Sequence, residues 1–161
     1  MNNFIENNWH SGSERPVKFS EIVLQIKNCV QNGGKVFIGS DSFISKRKVT
    51  FATAICLHGD RKGGRYFFTK DYSPISHYTV LVSRMTEEVR RSVELAEHVM
   101  EEYNIDPNFF ELHVDVSPFE LKMATSKFSD MLSGYVSGAG FECRIKPNAW
   151  ASQTVADKHS K

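Results

Sequence analysis

Apolar residues follow two rhythms along this chain. Phe19, Ile22, Val23, Ile26, Cys29 and Val30 recur every three or four positions, the spacing of one helical face. Ser20 offers a cap, and Gly33 and Gly34 end the run. KVFIGSDS (35–42), VTFATAICLHG (49–59) and RYFFTKD (65–71) then read as strands, rich in β-branched and aromatic residues. The links between them are too short for helical crossovers, which predicts an antiparallel meander. Helical spacing returns from about 79 to 103 through Leu81, Met85, Val89, Val93, Ala96, Met100 and Tyr103. FFELHVDV (109–116) is a fourth strand, 118–137 a second core helix, and FECRIKP (141–147) a fifth strand stopped by Pro147. A short helix over about 148–159 closes the chain. Residues 1–18 lack periodicity and read as an irregular N-terminal arm with Phe4 and Trp9 as anchors, which leaves 19–161 as a single domain. A meander followed by βαβ units predicts an α/β fold, a mixed five-stranded sheet with flanking helices.

Composition narrows the class. Hydrophobic residues make up 40% and charged residues 24%, ordinary globular usage that argues against a disordered chain. Lys plus Arg number 20 against 19 Asp plus Glu, which argues against a strongly basic nucleic-acid coat but not against a local basic patch. No apolar run approaches the roughly 20 residues of a membrane helix, and MNNFIENNWHSGSERP has no apolar signal core. The expected location is cytoplasmic. Cys29, Cys56 and Cys143 are far apart and odd in number, and read as small apolar core residues rather than a thiolate metal site.

A few acids sit where carboxylates are costly. Asp41 follows the apolar VFIG and stands between Ser40 and Ser42, where capping a turn is the plain alternative. Asp115 lies between Val114 and Val116, on the same strand face as His113, with a local His–Asp pair as its alternative. On the long helix, a spacing of about 100° per residue puts Leu81, Met85, Val89, Ser92, Val93, Leu95, Ala96 and Val99 on one face. Glu88 falls within that arc; Glu87 and Glu94 fall outside it. A boundary ion pair with Arg84 or Arg91 is the plain alternative for Glu88. Asp157 shares a helical face with Trp150, Gln153 and Thr154, and an acid near a helix C-terminus needs a compensating partner. Carboxylates converging from two strands and two helices repel one another and call for cations. All-oxygen ligation favours Mg²⁺ or Mn²⁺, and a pair of such ions is the usual device for phosphodiester cleavage.

The stretches VFIGSDS (36–42), RMTEEVRRSVELAE (84–97), ELHVDV (111–116) and GFECRIKPNAWASQTVADKHSK (140–161) resemble the ribonuclease H-like superfamily. More closely, the chain is similar to the YkuK family of ribonuclease H-like bacterial proteins, over about residues 19–161. The closing KP…A…ADKHSK is the most specific part. The resemblance implies a metal-dependent nuclease. Asp41 would match the first-strand aspartate that touches both metal ions, Glu88 the glutamate on the helix after the meander, Asp115 the fourth-strand aspartate and Asp157 the last-helix aspartate. Apart from the resemblance, imidazole chemistry makes His113 or His159 a candidate proton shuttle, His159 preferred for its place beside Asp157, with an ordinary core or exposed histidine as the alternative for each. The superfamily also includes non-catalytic scaffolds, so a nucleic-acid-binding or interaction module without strong catalysis is the alternative. The chain lacks the long basic insertion that some hybrid-binding relatives carry.

Expected substrate contacts are Lys46, Arg47 and Lys48 after the first strand, and Arg61, Lys62 and Arg65 around the next hairpin, with Phe43, Tyr72 and Tyr78 to stack bases. In a meander these two hairpins sit at opposite ends, which weakens a single patch. The GGK at 33–35 precedes a strand instead of following one, so it is no phosphate loop. Without GxSxG, a Ser-His-Asp hydrolase has no support.

Overall fold

A computed structural model describes residues 3–118 and 126–161. Six strands form one mixed sheet in the order β1-β4-β3-β2-β5-β6. The strands are β1 (His10–Ser11), β2 (Lys35–Ser45), β3 (Lys48–His58), β4 (Arg65–Pro74), β5 (Phe110–His113) and β6 (Glu142–Arg144). β2, β3 and β4 are the predicted meander, with β2 and β4 each running three residues further than the sequence suggests, to Ser45 and Pro74. β5 runs parallel to β2, and β6 parallel to β5. The central position of β3 explains its continuous apolar run, with nine of its eleven residues buried.

Helices cover both faces. Helix α1 (Phe19–Gln31), α2 (Leu81–Tyr103) and α3 (Ser129–Gly138) share one core with Val36, Ile38, Ile55 and Leu57. On the other face, a π-helix (Ala151–Ala156) runs into α4 (Asp157–Ser160). This terminal helix packs Ala151 and Ala156 on Ala54 and Cys56 of the sheet. Alternate residues of each strand therefore serve different layers: Ser40 and Ser42 turn toward α2, Phe37, Gly39 and Asp41 toward the terminal helix.

The sheet has one strand more than the pattern predicts. Residues 10–11 of the arm pair antiparallel with Phe67 and Phe68 of β4, and Trp9 is buried against Phe19. Two residues are too few to show a period, so β1 left no mark in the sequence. The side chain of Phe4 lies outside the described residues. Ser20 does not cap α1: the helix begins at Phe19, after Lys18, and lacks a side-chain cap. The predicted helix over 118–137 is α3 preceded by a 3₁₀ turn (Ser126–Phe128), and its residues 119–125 lie outside the described ones. The fourth strand is shorter than predicted, which puts Asp115 two residues past its end. Cys29 and Cys56 are buried and Cys143 is half-buried, all three as free thiols.

Candidate carboxylate site

The site lies where β5 ends beside the middle of β2, between α2 on one face and the terminal helix on the other. Serine rungs fix α2 against β2. Ser40 Oγ is hydrogen-bonded to Ser92 Oγ at 2.8 Å and to Thr53 Oγ1 at 2.9 Å. One turn back along the helix, Ser42 Oγ donates to Glu88 Oε2. Glu88 thus faces the sheet, as the helical-face argument predicts, and its partner is a serine. Arg91 instead pairs with Glu87 and Asp71. Ser40, Glu88, Val89, His113, Val114 and Asp115 line a small cleft here.

The terminal helix is anchored from the opposite face. Ala151 N–H donates to His113 Nδ1 at 2.9 Å, and Ser152 Oγ donates to the His113 carbonyl at 2.6 Å. His113 Nε2–H donates to Glu111 Oε1 at 2.9 Å. With one nitrogen accepting and the other donating, His113 is a neutral tautomer, and burial lowers its pKa against the opposing pull of Glu111. The partner of His113 is therefore Glu111, not Asp115. Gly39 makes this anchoring possible: a Cβ there would stand 2.5 Å from Ser152 N and 2.6 Å from Ala151 C.

Electrostatics ties the four carboxyls together. Asp41 is 8% exposed, and its carboxyl is pushed up to about 8. Burial is the main cause. Asp157, close enough to share a proton with it, and the charge of Asp115 add to the rise. Glu88 is raised well above the usual range by burial and by the charges of Asp41 and Asp115; the Ser42 hydroxyl and the Arg84 charge oppose the rise. Asp115 and Asp157 sit nearer solvent and are met by lysines. Lys146 Nζ lies 2.9 Å from Asp115 Oδ1, an ion pair without hydrogen-bond alignment, and Lys161 Nζ lies 3.2 Å from Asp157 Oδ2. Among the described residues, no three His, Cys, Asp or Glu side chains are arranged to hold a metal ion. The donor chemistry nonetheless fits a hard divalent cation: four carboxyls bear on one another, two of them buried and short of positive charge.

His159 stands apart from this group. Its Nε2 is hydrogen-bonded to the Tyr66 hydroxyl at 2.8 Å, and its ring stacks on Phe68 at 3.6 Å. Two positions along a helix turn side chains roughly 200° apart, so proximity to Asp157 in sequence does not carry the imidazole to the carboxyls. The basic patch also divides. Ser45 pairs with Lys48 at one end of the meander and Leu57 with Arg65 at the other. Arg65 is spent on Asp60 and Gln25. Tyr78 packs its edge on Phe51 at 5.0 Å. Spacing and composition give no role to Lys146, Lys161 or Gly39; a glycine inside the apolar VFIG run is the available signal for the last.

The family model described as "Ribonuclease H-like" matches residues 18–161. The chain is also similar to the uncharacterized protein YkuK of Bacillus subtilis (strain 168), with 24% identity over 166 residues, which cover 92% of this chain and 94% of that protein. No solved structure matches it significantly.

Proposed function

This chain belongs to the ribonuclease H-like family, and from that premise we propose that it is a divalent-metal-dependent nuclease. The observation that carries the reading is Asp41: a buried carboxyl beside Asp157 and Asp115, in a group of acids whose charge the protein only partly offsets. A fold has no need to gather acids at such a cost unless a cation belongs among them. Asp41, Glu88, Asp115 and Asp157 would hold Mg²⁺ or Mn²⁺, two ions in the full site. What such ions supply is a nucleophilic water of lowered pKa and charge relief at the leaving oxygen. For its part, Asp41 gives up its proton, Glu88 gives up the Ser42 hydroxyl, and the His113 anchor keeps Asp157 on station. The substrate class is nucleic acid.

One observation favours a binding module with little catalysis: Lys146 and Lys161 already supply positive charge to Asp115 and Asp157. A single set of experiments separates the readings. Melting curves with and without Mg²⁺ or Mn²⁺ are paired with cleavage assays on single-stranded RNA, single-stranded DNA, duplexes and an RNA/DNA hybrid. The nuclease reading expects stabilisation by the ion and cleavage that falls at least about 100-fold in Asp41→Asn and Asp115→Asn. Ion-induced stabilisation without cleavage leaves the binding module. No stabilisation, and cleavage equal in wild type and variants, refutes the metal site.

A further inference from the structure

Beyond the carboxyls, the sheet face that carries the terminal helix continues uncovered. Strand register lays out its rows. Gly39, Ala54 and Phe68 form one row; Asp41, Ala52 and Lys70 the next; Phe43, Thr50 and Tyr72 the third. The terminal helix covers the first row, where His159 stacks on Phe68. The two outer side chains of the third row are open, Phe43 at 39% exposure and Tyr72 at 55%, with Thr50 buried between them. Lys48, one step further along the same face, holds its Nζ 4.3 Å from the centre of the Tyr72 ring. Lys70, the outer member of Asp41's row, is exposed, and its charge is felt by His159 on the same side.

Two exposed aromatics flanked by lysines, on the face of a buried acidic group, have a specific chemical meaning. We propose that Phe43 and Tyr72 form a stacking platform for an unpaired base of single-stranded nucleic acid, with Lys48 and Lys70 along its phosphates. The proposal rests on the reading of the carboxyl group as the place where a phosphodiester is engaged. Residues two apart on a strand are separated by roughly 7 Å, so a strand with a phosphate at Asp41 places a neighbouring nucleotide over the Phe43–Tyr72 row. A duplex keeps its base faces stacked inside and offers the rings nothing. An unpaired base offers a π-face, and such stacking is tolerant of sequence. The adjacent cations suit a polyanion, not another basic surface.

Fluorescence anisotropy in EDTA reads binding apart from cleavage. The probes are a fluorescein-labelled oligothymidylate of about twelve nucleotides and the same strand annealed to oligoadenylate. The single strand is expected to bind at least about tenfold more tightly than the duplex. Tyr72→Ala and Phe43→Ala should each weaken it about tenfold, while Tyr72→Phe stays within about twofold. Lys48→Gln should lower the slope of log affinity against log salt by about 0.7. Both rings are exposed, and unchanged melting temperatures certify the folds. Equal binding of duplex and single strand, no binding of either, or indifference to both alanine variants overturns the platform. Because no metal is present, ring-dependent binding supports it even if the cleavage assay fails. Carboxylate-dependent cleavage with ring-independent binding removes the platform and leaves the nuclease.

Discussion

At the scale of single residues, the carboxyl of Asp41 sets the sharpest test. It titrates near 3.8 when free and at about 8 in the fold. A raised folded pKa means that the native state holds the proton more tightly than the unfolded chain does. The stability this confers is fully present below about pH 4 and is lost as pH rises through about 8. Asparagine mimics the protonated acid at every pH. Asp41→Asn should therefore melt higher than wild type at pH 9 without divalent ions, by about 2 kcal/mol or roughly 5 °C, and show no gain at pH 4.5. The same variant should lose the stabilisation that Mg²⁺ gives the wild type, whose increment should grow from pH 6 to 8.5 as the acids ionise. A melting temperature that moves with neither pH nor the substitution would show that Asp41 carries no unmet charge. The residue scale was also the most legible in the sequence. Glu88 was singled out by angle alone, because α2 is a regular amphipathic helix 23 residues long, where 100° per residue accumulates without error. The true partner of His113 was not legible, because Glu111 and Asp115 are equally spaced from it on a strand and only the early end of β5 decides between them.

At the scale of elements, the terminal helix is what brings Asp157 to Asp41, and its seat is Gly39. A methyl group there would collide with backbone atoms of Ala151 and Ser152, which cannot rotate away. Gly39→Ala should cost about 2 kcal/mol of stability by overpacking. Hydrogen exchange should locate the damage, with faster exchange over residues 150–160 while β3 keeps its protection. Uniform loss across the sheet would mean that the helix is not the element displaced. The sequence pattern predicts a helix here but not its geometry. Its first six residues form a π-helix, whose wider turn departs from the 3.6-residue period on which any face assignment for Asp157 depends. Such departures are set by docking, here the hydrogen bonds from Ala151 and Ser152 to His113, and leave no pattern in composition.

At the scale of the whole molecule, the N-terminal arm and the carboxyl site lie on different parts of the sheet. β1 closes the β4 edge, while the acids cluster at β2 and β5 with two strands between. The arm is more than a tether. Trp9 is 2% exposed and donates its indole N–H to the Ile5 carbonyl at 2.7 Å. Glu6 accepts from the Tyr103 hydroxyl at 2.7 Å and pairs with His98 at the same distance. Removing residues 1–17 would strip a buried tryptophan from the core and bare the hydrogen-bonding edge of β4 beside Phe67 and Phe68. Loss of a buried Trp side chain alone costs about 3–5 kcal/mol, so the truncated chain should melt about 10 °C lower or more. A bared edge strand invites pairing with a second copy, which sedimentation should reveal as association that grows with concentration. Tyr66 and Phe68 touch both the arm and the terminal helix, and sites with shared partners couple, so truncation should trim the stabilisation by Mg²⁺ without abolishing it. If truncation lowers the melting temperature and abolishes the metal increment together, the arm and the carboxyls belong to one cooperative unit. If it changes neither, the arm is not part of the folded core.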